Sequence, residues 1–147
     1  HRVRRTMPHD RRQARILAMQ ALCQWDVQHD HSDAALLDCL ADLDASPQAA
    51  THAMRLVRAY WNDAKSVDER IARAAEHWEF DRISSVDRNA MRVAVVELLL
   101  GTTPPAVVLD EAIEIAREFG GAESPRFVNG VLNSVLTTLR STTGTGE

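Results

Sequence analysis

Apolar residues recur three or four apart through almost the whole chain, and start and stop signals cut that pattern into seven helical segments. In "PHDRRQARILAMQALCQWDV", Asp10 and Gln13 form a capping-box-like start. Ile16, Met19, Cys23 and Val27 then share one face, which predicts a helix over about 11–28. Ser32 caps a shorter second helix with Leu36, Leu40 and Leu43 inward. Ser46 before Pro47 opens a third, with Met54, Val57, Tyr60, Trp61 and Ala64 toward the core. Ser66 with Glu69 begins a fourth, whose buried stripe is Ile71, Ala75 and Trp78.

The valine-rich stretch "SSVDRNAMRVAVVELLLG" could pass for a strand. Ser84 with Asp87 marks a start, however, Gly101 marks a stop, and Ala90, Ala94 and Leu98 fall four apart between them, which fits a buried helix. "TTPP" prevents continuation. A sixth helix follows with Val108, Ala112, Ile115 and Phe119 inward and a double-glycine stop. Ser124 and Pro125 open a seventh, with Val128, Val131, Val135 and Leu139 on one face. No alternating strand pattern intervenes, so the expected fold is an all-α bundle of about seven helices in two packed halves. Residues 1–10 read as a flexible basic arm and 11–140 as one helical domain, with halves of about 11–80 and 81–140 and a seam near 79–85. Residues 141–147 read as a disordered tail.

The length, 147 residues, suits a single core that buries roughly two-thirds of the unfolded surface. No run approaches the roughly 18 apolar residues of a membrane span; even "AVVELLL" is broken by Glu97. The basic start has no apolar segment behind it, which argues against a secretory signal. Cys23 and Cys39 have neither CxxC nor zinc-ligand spacing, so a reducing cytoplasm is expected. Net charge is −4 but uneven: residues 1–15 hold six arginines and one aspartate, leaving 11 basic against 20 acidic residues beyond them, or −9.

That asymmetry points to the first helix. Cations in the opening turns of a helix each cost roughly 0.3–1 kcal/mol against its dipole, and neighbouring ones repel. An external anion offsets this, and Arg11, Arg12 and Arg15 beside free backbone N–H groups suit phosphate oxygens. The plainer alternative is that they solubilise an exposed helix end. In "SPRFVNGVL", Arg126 and Phe127 occupy a first turn where an aromatic ring beside a cation could stack on an unpaired base, although core packing explains Phe127 taken alone. Gly130 within that helix implies close packing against another helix. Capping explains Asp87, and Arg88 beside it reads as a solvated charge; Glu111 and Glu114 fall on the solvated edge of an amphipathic helix. His29 and His31 point to different sides of a helix and lack a third ligand, so no metal is expected. No nucleotide-binding, hydrolase or metalloprotease motif is present, so neither a cofactor nor an enzyme is expected.

"RRQARILAMQALCQWD", "VDRNAMRVAVVELL" and "PPAVVLDEAIEIAREFGGAESPRFVNGVLNSVL", in that order, resemble the NusB family of bacterial transcription antitermination factors over about residues 11–139. The most specific part is "EAIEIAREFG" followed by "FVNGVL". The resemblance implies an all-helical fold in two halves. It also implies binding to boxA-type single-stranded RNA together with the ribosomal protein NusE, within the transcription elongation complex, in support of ribosomal RNA synthesis. Position by position, it puts Arg11, Arg12 and Arg15 on RNA phosphates and sets Asp87, Arg88, Arg126 and Phe127 around the RNA and NusE surfaces. The acidic remainder suits a basic protein partner, with Asp87, Glu111 and Glu114 as its contacts. Two departures stand out: Cys23 where the family often has an aromatic residue, and Gln13 interrupting the arginines. The same fold occurs in ribosomal RNA cytosine methyltransferases, so an RNA-binding domain of such an enzyme is one alternative. A helical adaptor without RNA binding is another, and a homodimer that hides the arginine face stays open.

Overall fold

A computed structural model describes the backbone of residues 8–145 and the side chains of residues 10–141. The seven helices are α1 (Pro8–Gln28), α2 (Asp33–Asp42), α3 (Pro47–Asn62), α4 (Ala64–Ala74), α5 (Ser85–Leu100), α6 (Pro105–Phe119) and α7 (Ser124–Thr145). A single 3-10 turn at Phe80–Arg82 precedes α5. None is long and apolar enough to cross a membrane.

The fold is built around α5. Helices α1, α3, α4, α6 and α7 all pack against it. Asp87 and every residue from Asn89 to Glu97 are buried, which accounts for its strand-like run of valines: a helix enclosed on all sides needs no polar face. Its ends follow the local signals. Ser84 Oγ accepts the N–H of Asp87 at 3.3 Å, and Gly101 takes the left-handed conformation at φ 69°, open to glycine at no steric cost. Ser32 and Ser46 cap α2 and α3 by accepting from Ala35 and Ala49. One half of the bundle is α1–α3, in which α1 packs on α2 and α3, and the other is the α6–α7 pair. Helix α4 packs on α7 and α5 more than on α3, so the chain changes halves before α4, ahead of the seam expected near 79–85.

Several expected boundaries move. Asp10 lies inside α1, buried, rather than capping it. Helix α4 starts at Ala64 after Asp63, so Ser66 is a helix residue, and it stops at Ala74, which leaves Trp78 beyond its end and 58% exposed. Phe119, in the last turn of α6, is partly exposed. Helix α7 runs to Thr145 where a tail was expected from 141, and residues 8–10 of the expected arm belong to α1; residues 1–7 and 146–147 lie outside the described residues. A Cβ on Gly130 would meet nothing within 4 Å, so this glycine marks no helix contact.

The most consequential difference is a rotation of α1. Its buried stripe is Ala14, Leu17, Ala18, Ala21 and Leu22. Of the expected stripe only Met19 is fully buried, and Val27 is largely exposed. Turning the helix this way carries Arg15 from the surface into the protein.

Candidate nucleic-acid interface

The arginines of α1 separate into different environments. Arg11 is exposed, and no ion pair holds it among the described residues. Arg12 is exposed too, but it reaches α6, where Nε donates to Glu111 Oε1 at 2.9 Å and Nη2 to Oε2 at 2.6 Å. Those bonds hold the Glu111 carboxyl below the usual glutamate range, against the opposing effect of its partial burial. The same pair raises the affinity of the Arg12 guanidinium for its proton.

Arg15 is buried at 4% exposure. Nε and Nη2 bind the two oxygens of Glu97 on α5 at 2.6 and 3.0 Å, and Nη1 lies 3.5 Å from Glu111. Thr103 Oγ1 donates to Glu97 as well. With its fork filled by protein carboxylates, Arg15 ties α1 to α5 and α6 and offers nothing to a phosphate. Glu111 is likewise no free solvated edge but the acceptor shared by Arg12 and Arg15. Glu114 is exposed and paired with Arg117 on its own helix.

A second polar knot forms where α1 and α5 run side by side further along. Asp26 Oδ2 accepts from Arg88 and from Asn89 Nδ2 (2.9 Å), while Asp26 Oδ1 accepts from Arg92 Nη1 at 2.8 Å. Arg92 also grips both oxygens of Asp68 on α4, at 2.9 and 3.0 Å, and lies over the Tyr60 ring, 4.8 Å from its centroid. The Tyr60 hydroxyl donates to Asp68, and its burial pushes the phenol up. Arg88 additionally donates to the Ile83 carbonyl, so the expected solvated arginine is a brace for the turn before α5. Its guanidinium is committed to the protein. Asp26, Asp68 and Arg92 were not singled out in the sequence, because the ion pairs that join them span 24 to 66 residues.

Asp87 is also internal, at 7% exposure, and accepts from Ser124 Oγ at 3.0 Å; Ser124 in turn accepts the Gly121 N–H. Asp87 therefore fixes the first turn of α7 against α5 and is not a surface contact for a partner. That turn presents Arg126, which is exposed, and Phe127, which is half-buried. The Phe127 ring meets Trp78 edge-on, with centroids 5.5 Å apart. Trp78, unforeseen as a site residue, thus extends an aromatic surface beside Arg126.

Of the residues singled out in the sequence, Arg11 and Arg12 at one end of α1 and Arg126 and Phe127 at the start of α7 stay at the surface for a polyanion, with Trp78 against the Phe127 ring. A sequence model described as the NusB family matches residues 12–137. The chain is 43% identical over 128 residues to the transcription antitermination protein NusB of Solibacter usitatus (strain Ellin6076), covering 85% of this chain and 87% of that protein. It is similar in structure to T. maritima NusB, with a TM-score of 0.76 at 34% identity, over 89% of this chain and 92% of that one. It is also similar to a chain in a crystal structure of antitermination factors NusB and NusE in complex with dsRNA. There the TM-score is 0.79 at 25% identity, over 90% of this chain and 99% of that one.

Proposed function

The chain belongs to the NusB family, and from that premise we propose that it is an RNA-binding transcription antitermination factor that acts with NusE. The observation that carries this reading is the likeness, over 90% of the chain, to a protein solved with both NusE and RNA. Relatives of nearly the same span, themselves antitermination proteins, favour the factor over a methyltransferase domain. The chain works by binding and positioning, not by bond chemistry.

On this reading Arg11 and Arg12 supply salt-sensitive phosphate contacts, and Phe127, with Arg126 beside it, takes an unpaired base. The preferred RNA is a boxA-type single strand, held in the cytoplasm within the elongation complex. The test is RNA affinity against salt for a boxA-type strand, a scrambled strand and a duplex, each with and without NusE. Selective tightening of the boxA strand by NusE, with log affinity falling linearly with log salt, supports the reading. Failure of every RNA to bind at low salt, with NusE present, overturns it and leaves the helical adaptor.

A further inference from the structure

The outer face of α3 carries a feature the preceding reading does not use. Ala49, Ala53, Leu56, Val57 and Tyr60 bury one side of this helix. The other side is an open groove lined by Gln48, Thr51, His52, Arg55, Arg58 and Asn62, among others. Thr51, Arg55, Arg58 and Asn62 recur three or four residues apart, so they form one continuous edge. From Thr51 to Asn62 that edge is about 16 Å long at a helical rise of about 1.5 Å per residue.

Charge sets this face apart. Beyond residue 15 the chain has an acidic excess of −9, yet α3 contains no carboxylate. Arg55 is exposed and no ion pair holds it among the described residues; Arg58 meets Asp33 of α2 at two points, Nε on Oδ1 at 3.1 Å and Nη2 on Oδ2 at 3.0 Å, in a pair exposed on both sides, so a phosphate at Arg58 must displace that carboxylate. Amide, hydroxyl and imidazole groups line the rest of the groove on either side of the arginines. Two guanidinium groups with neutral donors on one helical edge suit a chain of phosphates better than an acidic protein, which would need apolar anchors that this edge lacks.

Helix α3, which lines the groove, packs side by side with α1, whose first turns carry Arg11 and Arg12. His52, in the groove, is held below its ordinary value chiefly by burial; Glu97 opposes this, and Arg15, Arg55 and Arg11 add to it. Burial thus favours the neutral form of the ring, a donor or acceptor that adds no repulsion among the arginines.

We propose that the α3 groove is a second RNA subsite, in which Arg55 and Arg58 hold the phosphate backbone of the strand as it leaves Arg11. This rests on the RNA reading above and extends the footprint beyond the segment held by α1 and α7. The occupant is single-stranded RNA flanking the boxA-type segment, and recognition there is of backbone and not of sequence.

The experiment uses the full chain with NusE, a short boxA-type strand, and the same strand lengthened at its 5′ end or its 3′ end. Arg55→Ala and Arg58→Ala replace exposed side chains, and thermal melting checks that each variant folds. One lengthened strand is expected to bind the native chain more tightly than the short one. Each variant should lose that gain by about threefold or more and make the salt dependence of the long strand shallower by about one unit, with short-strand affinity unchanged. Arg12→Ala should weaken all strands. If Arg12→Ala weakens binding while Arg55→Ala and Arg58→Ala bind the long strands as the native chain does, the groove is not an RNA subsite and the wider reading stands. Equal weakening of the short strand by the α3 variants also overturns the extension. If those variants impair NusE binding and leave RNA binding alone, the groove serves a protein and the inference falls. If no RNA binds even the native chain, the RNA reading itself fails.

Discussion

Arg12 of α1 and Glu111 of α6 meet at two points, Nε on Oε1 and Nη2 on Oε2, so a carboxylate already occupies an exposed arginine at the surface where RNA is expected. A phosphate must compete with Glu111 for that fork. Glu111→Gln keeps the side-chain shape and removes the competing charge, so it should tighten RNA binding several-fold and steepen its salt dependence. Arg12→Ala should do the reverse, with the slope shallower by about one unit. Affinity titrations over a salt series check both, and unchanged binding in the two variants would remove Arg12 from the RNA surface.

Arg15 is expected to behave differently from its neighbour. Removing it leaves Glu97 charged, buried and unpaired on α5, a change that costs about 3–5 kcal/mol. Arg15→Ala should therefore lower the midpoint of denaturant unfolding sharply. Replacing Arg15 and Glu97 together by Met and Leu should recover much of the loss, since no lone charge remains. RNA affinity per folded molecule should match the native chain in the double variant if Arg15 acts only within the fold. A fall in that affinity with stability restored would return Arg15 to the RNA site.

The contrast between these arginines marks what the sequence can reveal. Signals contained within one turn came through: the Ser84 cap, the Gly101 stop and the Ser46–Pro47 start all stand where the pattern puts them. The fate of an arginine did not, because it depends on partners 82 residues away for Arg15 and 99 for Arg12. A clue was nevertheless present. Arg15 falls three and seven positions before Ala18 and Leu22, so choosing the alanine-rich stripe of α1 over the bulkier Ile16–Val27 stripe would have placed it inside. Small residues dominate the buried face of α1, and helical spacing alone fits either stripe. Trp78 was misjudged for another reason: the stripe of α4 was extended past the point where the helix ends.

Acid should loosen the joint between α1 and α5. Burial works against the charge on Asp26, but hydrogen bonds from Arg92, Asn89 and Arg88 together hold its carboxyl below the usual aspartate range. A depressed folded value means that this stabilisation is complete above the unfolded value of about 3.9 and is lost as pH falls through the folded one. Asp26→Asn should lower stability at neutral pH and make the loss below about pH 4 shallower than in the native chain. Unfolding curves across that range test it; parallel acid limbs would show that Asp26 is not responsible.

Two glycines should respond in opposite directions. A Cβ on Gly130 meets open space within α7, so Gly130→Ala should stabilise the chain by up to about 1 kcal/mol. A Cβ on Gly120 would come within 2.5 Å of Ser124 Oγ and 2.7 Å of the Ala116 carbonyl, where the chain turns from α6 toward α7. Gly120→Ala should destabilise by about 1–3 kcal/mol and disturb the Ser124–Asp87 bond. Thermal melting of the two variants separates these effects, and destabilisation by Gly130→Ala would mean that α7 tolerates no side chain there.

The start of α7 supports the last prediction. Ser124 is held between the Gly121 N–H and Asp87, which fixes the turn from which Arg126 and Phe127 project, and Trp78 lies edge-on to the Phe127 ring. Phe127 is half-buried, so its loss could reach RNA binding either through a missing stacking surface or through a loosened helix. Phe127→Leu separates the two, because leucine retains apolar packing and has no π-face. If Phe127 stacks on a base, that variant should melt close to the native chain and lose about 1–3 kcal/mol of RNA binding, little changed by salt. Trp78→Ala should have a smaller effect, by releasing the Phe127 ring from its edge contact. Native RNA affinity in Phe127→Leu would assign the ring to packing alone, and RNA recognition at this end would then rest on Arg126.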